Sequence, residues 1–205
     1  LSPDHSSQNW KKFRFRGLRA MGHGIHMQDI DVMRVIGVDP GTHRTGIGIL
    51  EADGAKYKIV YSGIIRANSK DSIAKRLLHI FESLQIVIQS YHPEVMALET
   101  LFFAKDIQAV ERIGEARACA MLAASKQGIE VIEYAPTSVK RSVTGNGRAT
   151  KEQVQFMVMR LLNLKTAPSL DASDALAIAL CHLHHRLSHK RMLYKNLLQS
   201  EHVSK

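Results

Sequence analysis

Apolar positions along this chain fall into short runs and long periodic stretches. Val35, Ile36 and Val38 form one run, and Ile47, Ile49 and Leu50 form a second after the turn signal Pro40-Gly41. Such runs predict strands buried in a sheet and joined as a hairpin. Residues 57–66 (Tyr-Lys-Ile-Val-Tyr-Ser-Gly-Ile-Ile-Arg) have the β-branched and aromatic content of a third strand. Residues 68–72 supply turn and capping types, and Ile73, Leu77, Ile80, Leu84, Val87 and Tyr91 then recur at helical spacing until Pro93. Val95-Met-Ala-Leu98 predicts a fourth strand. Ile107, Val110, Ile113, Ala116, Ala120, Met121 and Ala124 predict a helix over 106–126 that Gly128 ends. Val131-Ile-Glu-Tyr134 predicts a fifth strand. Residues 137–150 read as a basic connecting segment with Gly145-Asn-Gly-Arg148 as its loop. Thr150-Lys-Glu-Gln153 is a capping box opening a helix with Val154, Met157, Leu161 and Leu162. After Pro168, residues 171–180 open a last helix. The expected order is β-β-β-α-β-α-β-α-α, an α/β fold.

Two of these strands end in a carboxylate. Asp39 closes the first and Glu99 the fourth. An unpaired buried charge is costly, so an acid at the lip of a central strand points either to an ordinary turn cap or to an open edge that holds a cation. Asp171 and Asp174 add two more acids. Their i, i+3 spacing puts both on one face of the first helical turn. The preference of acids for helix N-termini explains one of them, while a divalent ion suits two pointing the same way. The segment Thr100-Leu-Phe-Phe-Ala-Lys105 follows Glu99 directly, so Phe102 and Phe103 are either core residues or a platform on which a base can stack.

Composition narrows the classes. The 205 residues carry a net charge of +9, and 45% of them are hydrophobic. This is enough for one domain with a real core and tails. There is no apolar run long enough to cross a membrane. The tails hold most of the basicity, so overall charge alone says little about nucleic acid. Within the domain, Lys140, Arg141, Arg148, Lys151, Arg160 and Lys165 are accompanied by one acid, Glu152. A cationic stripe of this kind is either a solvated helix face or a seat for a polyanion. Cys119 and Cys181 are far apart and read as buried thiols of a reducing compartment. His182, His184, His185 and His189 read as surface residues. Residues 1–32 have no apolar periodicity and form an expected disordered, dispensable extension, 33–185 the folded domain, and 186–205 a basic tail. Gly114, Ala116, Ala118 and Ala120 form a small-residue face that another helix could approach closely, the candidate contact between two copies of the chain.

The strand order, with an acid on the first and fourth strands and Asp-x-x-Asp on the last helix, resembles the RNase H-like superfamily. Within it the chain is similar to the RuvC-type Holliday junction resolvases. The residues that carry the likeness are Ile36-Gly-Val-Asp-Pro-Gly-Thr-His-Arg-Thr-Gly46, Ala97-Leu-Glu-Thr-Leu-Phe-Phe-Ala-Lys105, Gly114-Glu-Ala-Arg117, Glu133-Tyr-Ala-Pro136, Val139-Lys140 and Asp171-Ala-Ser-Asp-Ala-Leu-Ala-Ile-Ala179. The resemblance implies a five-stranded mixed sheet flanked by helices. It also implies a bacterial, cytoplasmic endonuclease of recombination and repair that resolves four-way DNA junctions by paired symmetric nicks. Asp39, Glu99, Asp171 and Asp174 would be the catalytic acids and would bind Mg²⁺, two ions per site, with Mn²⁺ as a substitute. Phe102 would support the junction DNA, and Lys140 and Lys151 would lie near the scissile phosphate or the backbone. The implied partners are a second copy in a homodimer and a branch-migration complex. Actin-like ATPases open with a similar Asp-x-Gly-Thr hairpin, but they need a second comparable domain and a second phosphate loop. A junction-binding protein without catalysis would carry a broken acid quartet, and here all four acids are present. Nucleases of the same chemistry acting on RNA or on transposon ends stay open at this stage.

Overall fold

Five strands form the sheet: β1 (Met33–Asp39), β2 (Arg44–Asp53), β3 (Lys56–Arg66), β4 (Val95–Glu99) and β5 (Glu130–Tyr134). The computed structural model describes residues 32–101 and 107–203. The expected N-terminal extension and Phe102 therefore lie outside the described residues, apart from Val32. The strands run in the order β3-β2-β1-β4-β5, with β1–β2 and β2–β3 antiparallel and β1–β4 and β4–β5 parallel. This is the expected mixed sheet. The central position of β1 explains its apolar run, since both of its faces are covered.

Side-chain alternation sorts the strands onto two cores. Ile36, Val38, Ile47, Ile49, Met96 and Leu98 are fully buried in one, each contributing about 1.5–3 kcal/mol. That face is covered by α1 (Ile73–Tyr91) and α2 (Ile107–Lys126). The Ser72 side chain caps α1 by accepting from Lys75 N–H, and α1 ends at His92 in a left-handed conformation just before Pro93. On the opposite face Val35, Leu50, Ala52, Val95 and Ala97 meet α5 (Leu170–Val203), flanked by α3 (Pro136–Thr144) and α4 (Lys151–Leu161). The capping box opens α4 as expected, with Thr150 and Gln153 bonding reciprocally.

Glycines on β1 and β2 decide how closely α5 approaches. A Cβ on Gly37 would collide with the Ala175 carbonyl, and one on Gly46 with the Asp171 carbonyl. The first turns of α5 therefore rest on bare backbone of β1 and β2.

Four expectations change. The segment 137–150 is not all connection: Pro136 opens α3, a position where its missing N–H costs nothing, and Gly145 ends it at φ 77°. The last helix runs unbroken from Leu170 to Val203, so helix continues into the expected basic tail. Ala116 is fully buried and Ala120 is spent on the core between α1, α2 and the sheet, so of the four small residues expected to form a contact face only Ala118 is exposed, with Gly114 half-buried. His182 and His184 are not surface residues. His182 is buried and shares a 2.9 Å hydrogen bond with the Tyr134 hydroxyl, and His184 Nδ1 lies 2.9 Å from the Ser142 carbonyl. The two sit on the inward side of α5, while His185 and His189 are exposed as expected.

Candidate active site

The parity of β1 and β4 places the first two acids. Val38 pairs with Leu98 in register, so Asp39 and Glu99 stand side by side one residue further along. They share the face of Val35, Gly37, Val95 and Ala97, which is the face α5 covers. Resting on the glycine floor, α5 brings Asp171 over β2, and Asp174 follows one turn later. All four acids thus converge electrostatically at one lip of the sheet. No local structural need brings two strand ends and one helix turn together in this way.

The electrostatics record the crowding. Burial first, then the charges of Asp174 and Glu99, push the Asp39 carboxyl from its ordinary 3.8 up to about 7. Lys151 opposes this, and Asp171 adds to it. Burial and Asp174 also raise Glu99, against the pull of Lys151 and Lys140. Lys151 Nζ donates to Asp174 Oδ2 at 3.0 Å, which holds the ammonium above its usual range. Arg44 Nε lies 2.7 Å from Asp171 Oδ2, an ion pair without hydrogen-bond alignment, so that buried oxygen has no hydrogen-bond partner among the described residues.

The expected lysines therefore occupy the same site as the acids. Lys151 touches Asp174, and the charge of Lys140 reaches Glu99. Two further residues belong to it. Arg44, at the start of β2, is visible in the sequence only through strand parity: it stands two residues before Gly46 and so faces α5. Arg117 of α2 donates from Nε to the Glu99 carbonyl at 3.2 Å and pairs with Glu133, tying the ends of β4 and β5 to α2. Nothing in the spacing of Arg117 announces that contact.

Among the described residues, no group of three or more His, Cys, Asp or Glu side chains is drawn together tightly enough to hold a metal ion as it stands. Asp171 and Asp174 instead contact Arg44 and Lys151. The donor set nevertheless fits a hard divalent cation. It is all carboxylate oxygen, one oxygen lacks a hydrogen bond, and burial together with the neighbouring carboxylates holds Asp39 at about 7.

A mixed five-stranded sheet of this order, with acids at the ends of its adjacent central strands and on the helix that crosses them, defines an RNase H-like nuclease. Comparison with known proteins is more specific. The family model described as crossover junction endodeoxyribonuclease RuvC matches residues 35–182. A crossover junction endodeoxyribonuclease RuvC of Shewanella amazonensis is 44% identical over 150 residues, covering 73% of this chain and 86% of that protein. Among solved structures, T. thermophilus RuvC in complex with Holliday junction substrate superposes with TM-score 0.72 at 32% identity, over 77% of this chain and 96% of that one. The yeast mitochondrial Holliday junction resolvase shares the fold, with TM-score 0.56 at 14% identity over 80% of this chain and 86% of that one. The chain belongs to the RuvC family of crossover junction endodeoxyribonucleases. It is a nuclease of the hydrolase class.

Proposed function

We propose that this chain resolves four-way DNA junctions by paired symmetric nicks, hydrolysing one phosphodiester at each of two acid sites. Membership of the RuvC family and the likeness to a junction-bound relative support the substrate. The single observation that supports the chemistry is Asp39 at one lip with three other acids, its carboxyl pushed up to about 7 by burial first and then by those acids.

Asp39, Glu99, Asp171 and Asp174 would hold Mg²⁺, and four carboxylates suffice for two ions. Bound there, the metal would supply Lewis acidity at the scissile phosphate and an activated water, so no Ser, Cys or Tyr nucleophile is needed. The protein's own part is positioning and charge. β1 and β4 fix Asp39 and Glu99, Arg117 braces the end of β4, and Gly37 and Gly46 set the height of Asp171 and Asp174. Lys151 and Lys140 face the same lip and draw a phosphate onto it. Phe102, three residues after Glu99, stacks on an opened base. The products carry 5′-phosphate and 3′-hydroxyl ends.

Two cuts on a two-fold junction call for two equivalent sites, which a closed C2 homodimer supplies. On α2, exposed Ile107, Ala118, Met121 and Leu122 form an outward stripe suited to a second copy. A branch-migration complex is the further partner that family membership supports. The test is incubation of the full chain with labelled four-way junction, linear duplex and RNA–DNA hybrid, each with Mg²⁺ or EDTA. Paired nicks in the junction alone, and only with Mg²⁺, are expected. Equal cutting of linear duplex, or cutting in EDTA, would overturn the proposal.

A further inference from the structure

The hairpin of β2 and β3 carries its charges unevenly. At the end far from the acids, charged residues that face each other across the strands have opposite sign: Glu51 stands opposite Lys58, and Asp53 opposite Lys56. Glu51 is also paired with Arg34. At the end beside the acids the rule is broken, and Arg44 stands directly opposite Arg66. Opposite positions in an antiparallel pair share a face, so both side chains stand on the α5 side, and Arg44 reaches Asp171 there. Like charges in this arrangement destabilise a sheet, whereas opposite charges support it. One hairpin thus uses complementary pairs where nothing but stability is at stake, and accepts repulsion only at the catalytic lip.

Neither cation is absorbed by the fold. Arg66 is exposed and makes no ion pair among the described residues. The Arg44 side chain is 52% exposed, and its contact with Asp171 lacks hydrogen-bond alignment, so it is readily exchanged. Across the acids, on the β4 side, lie Lys151 and Lys140.

We propose that Arg44 and Arg66 form a second phosphate-binding flank of the site, on the hairpin edge opposite Lys140 and Lys151, so that a DNA strand crosses the acids with its backbone held on both sides. The inference rests on the junction-cutting reading for its ligand, and it names the partner group as consecutive DNA phosphates. Arginine suits that role because its planar donor fork matches phosphate oxygens.

Binding of fluorescent four-way junction to the full chain, read by anisotropy in EDTA over a salt series, tests it. Each neutralised phosphate contributes a slope of about −0.9 in log affinity against log salt. Arg44→Gln and Arg66→Gln should each flatten the slope by about 0.9 and weaken binding about fivefold to tenfold near about 0.1 M salt. The double variant should lose about twice that slope, and Arg66→Lys should keep it. Thermal unfolding supplies a readout that a structural role would move the other way: Arg66→Gln relieves repulsion and should melt no lower than the wild type. An unchanged slope in the double variant, or an affinity loss that tracks a fall in Tm, overturns the flank. Nicking by the wild type in Mg²⁺ is measured alongside. Failure there overturns the junction-cutting reading, while the salt slope still decides whether the arginines hold phosphate.

Discussion

Replacing Asp39 with Asn should stabilise the protein at alkaline pH while abolishing its metal-dependent chemistry. Asp39 titrates at about 7 in the folded chain against an ordinary 3.8. Between those values the native state keeps a proton that the unfolded chain has lost, so stability falls as pH rises through that window and levels off above about 7. At 1.36 kcal/mol per pH unit, the gap corresponds to about 4 kcal/mol at pH 8. Asn mimics the protonated acid and carries no such penalty. With some relief from neighbouring carboxylates included, Asp39→Asn should gain about 2–4 kcal/mol at pH 8, or about 5–15 °C in melting temperature for a chain of this size. The gain should vanish below pH 4, where wild-type Asp39 is protonated in both states. Urea or thermal unfolding in EDTA at several pH values measures it. Saturating Mg²⁺ should raise the wild-type midpoint and leave the variant nearly unmoved. A difference independent of pH, or no gain at pH 8, would refute the argument that burial and the neighbouring acids together hold a proton on Asp39.

Three other expectations follow from the same geometry. Gly46→Ala should lower the melting temperature sharply, by an amount matching about 3 kcal/mol or more, because its Cβ meets the Asp171 carbonyl; nicking should fail with it. Lys151→Gln removes the cation that opposes the upward shift of Asp39 and Glu99, so the acidic limb of the nicking pH profile should move to higher pH; an unmoved limb would show that Lys151 acts on DNA alone. Phe102→Ala should weaken junction cleavage by the worth of one stacked base, about 1–3 kcal/mol, with the melting temperature unchanged; a collapse of the melting temperature would assign Phe102 to the core.

The strands and the acid quartet were legible in the sequence because both obey short-range rules. Two-residue alternation exposes strands, and an acid at the end of an apolar run violates the rule that buried charges are avoided. The capping box at Thr150 is local in the same sense. What was not legible depends on distant partners. Residues 136–144 form a helix of nine residues, too short for periodicity to stand out among its basic and β-branched residues, and only Pro136 and Gly145 marked its ends. His182 and His184 looked like surface polar residues because nothing local shows that this side of α5 faces Tyr134 and Ser142. The mixture of Gly and Ala on α2 could not say which side was inward; buried Ala116 and Ala120 meet the core, while Ala118 faces away.

Metal-free charge balance at the lip gives the Arg44 and Lys151 contacts a common meaning. Four acids face two direct cation partners, and those partners hold the two aspartates on the helix, not the two acids on the strands. The strand acids have no cation partner of this kind among the described residues, and burial first and the neighbouring acids second raise their pKa values. The helix acids are relieved by long side chains that are half or more exposed and easily released. A cation arriving at the acids and a phosphate arriving at the arginine and lysine would each replace a partner that the other frees. On that account metal and DNA should assist one another's binding, by amounts that Arg44→Gln and Lys151→Gln diminish, and junction affinity measured with Ca²⁺ against EDTA, with the junction checked to be uncut, gives the coupling directly. Equal affinity in the two conditions for the wild type would mean that the ion pairs are not exchanged, and that the cations hold the acids in place throughout the reaction.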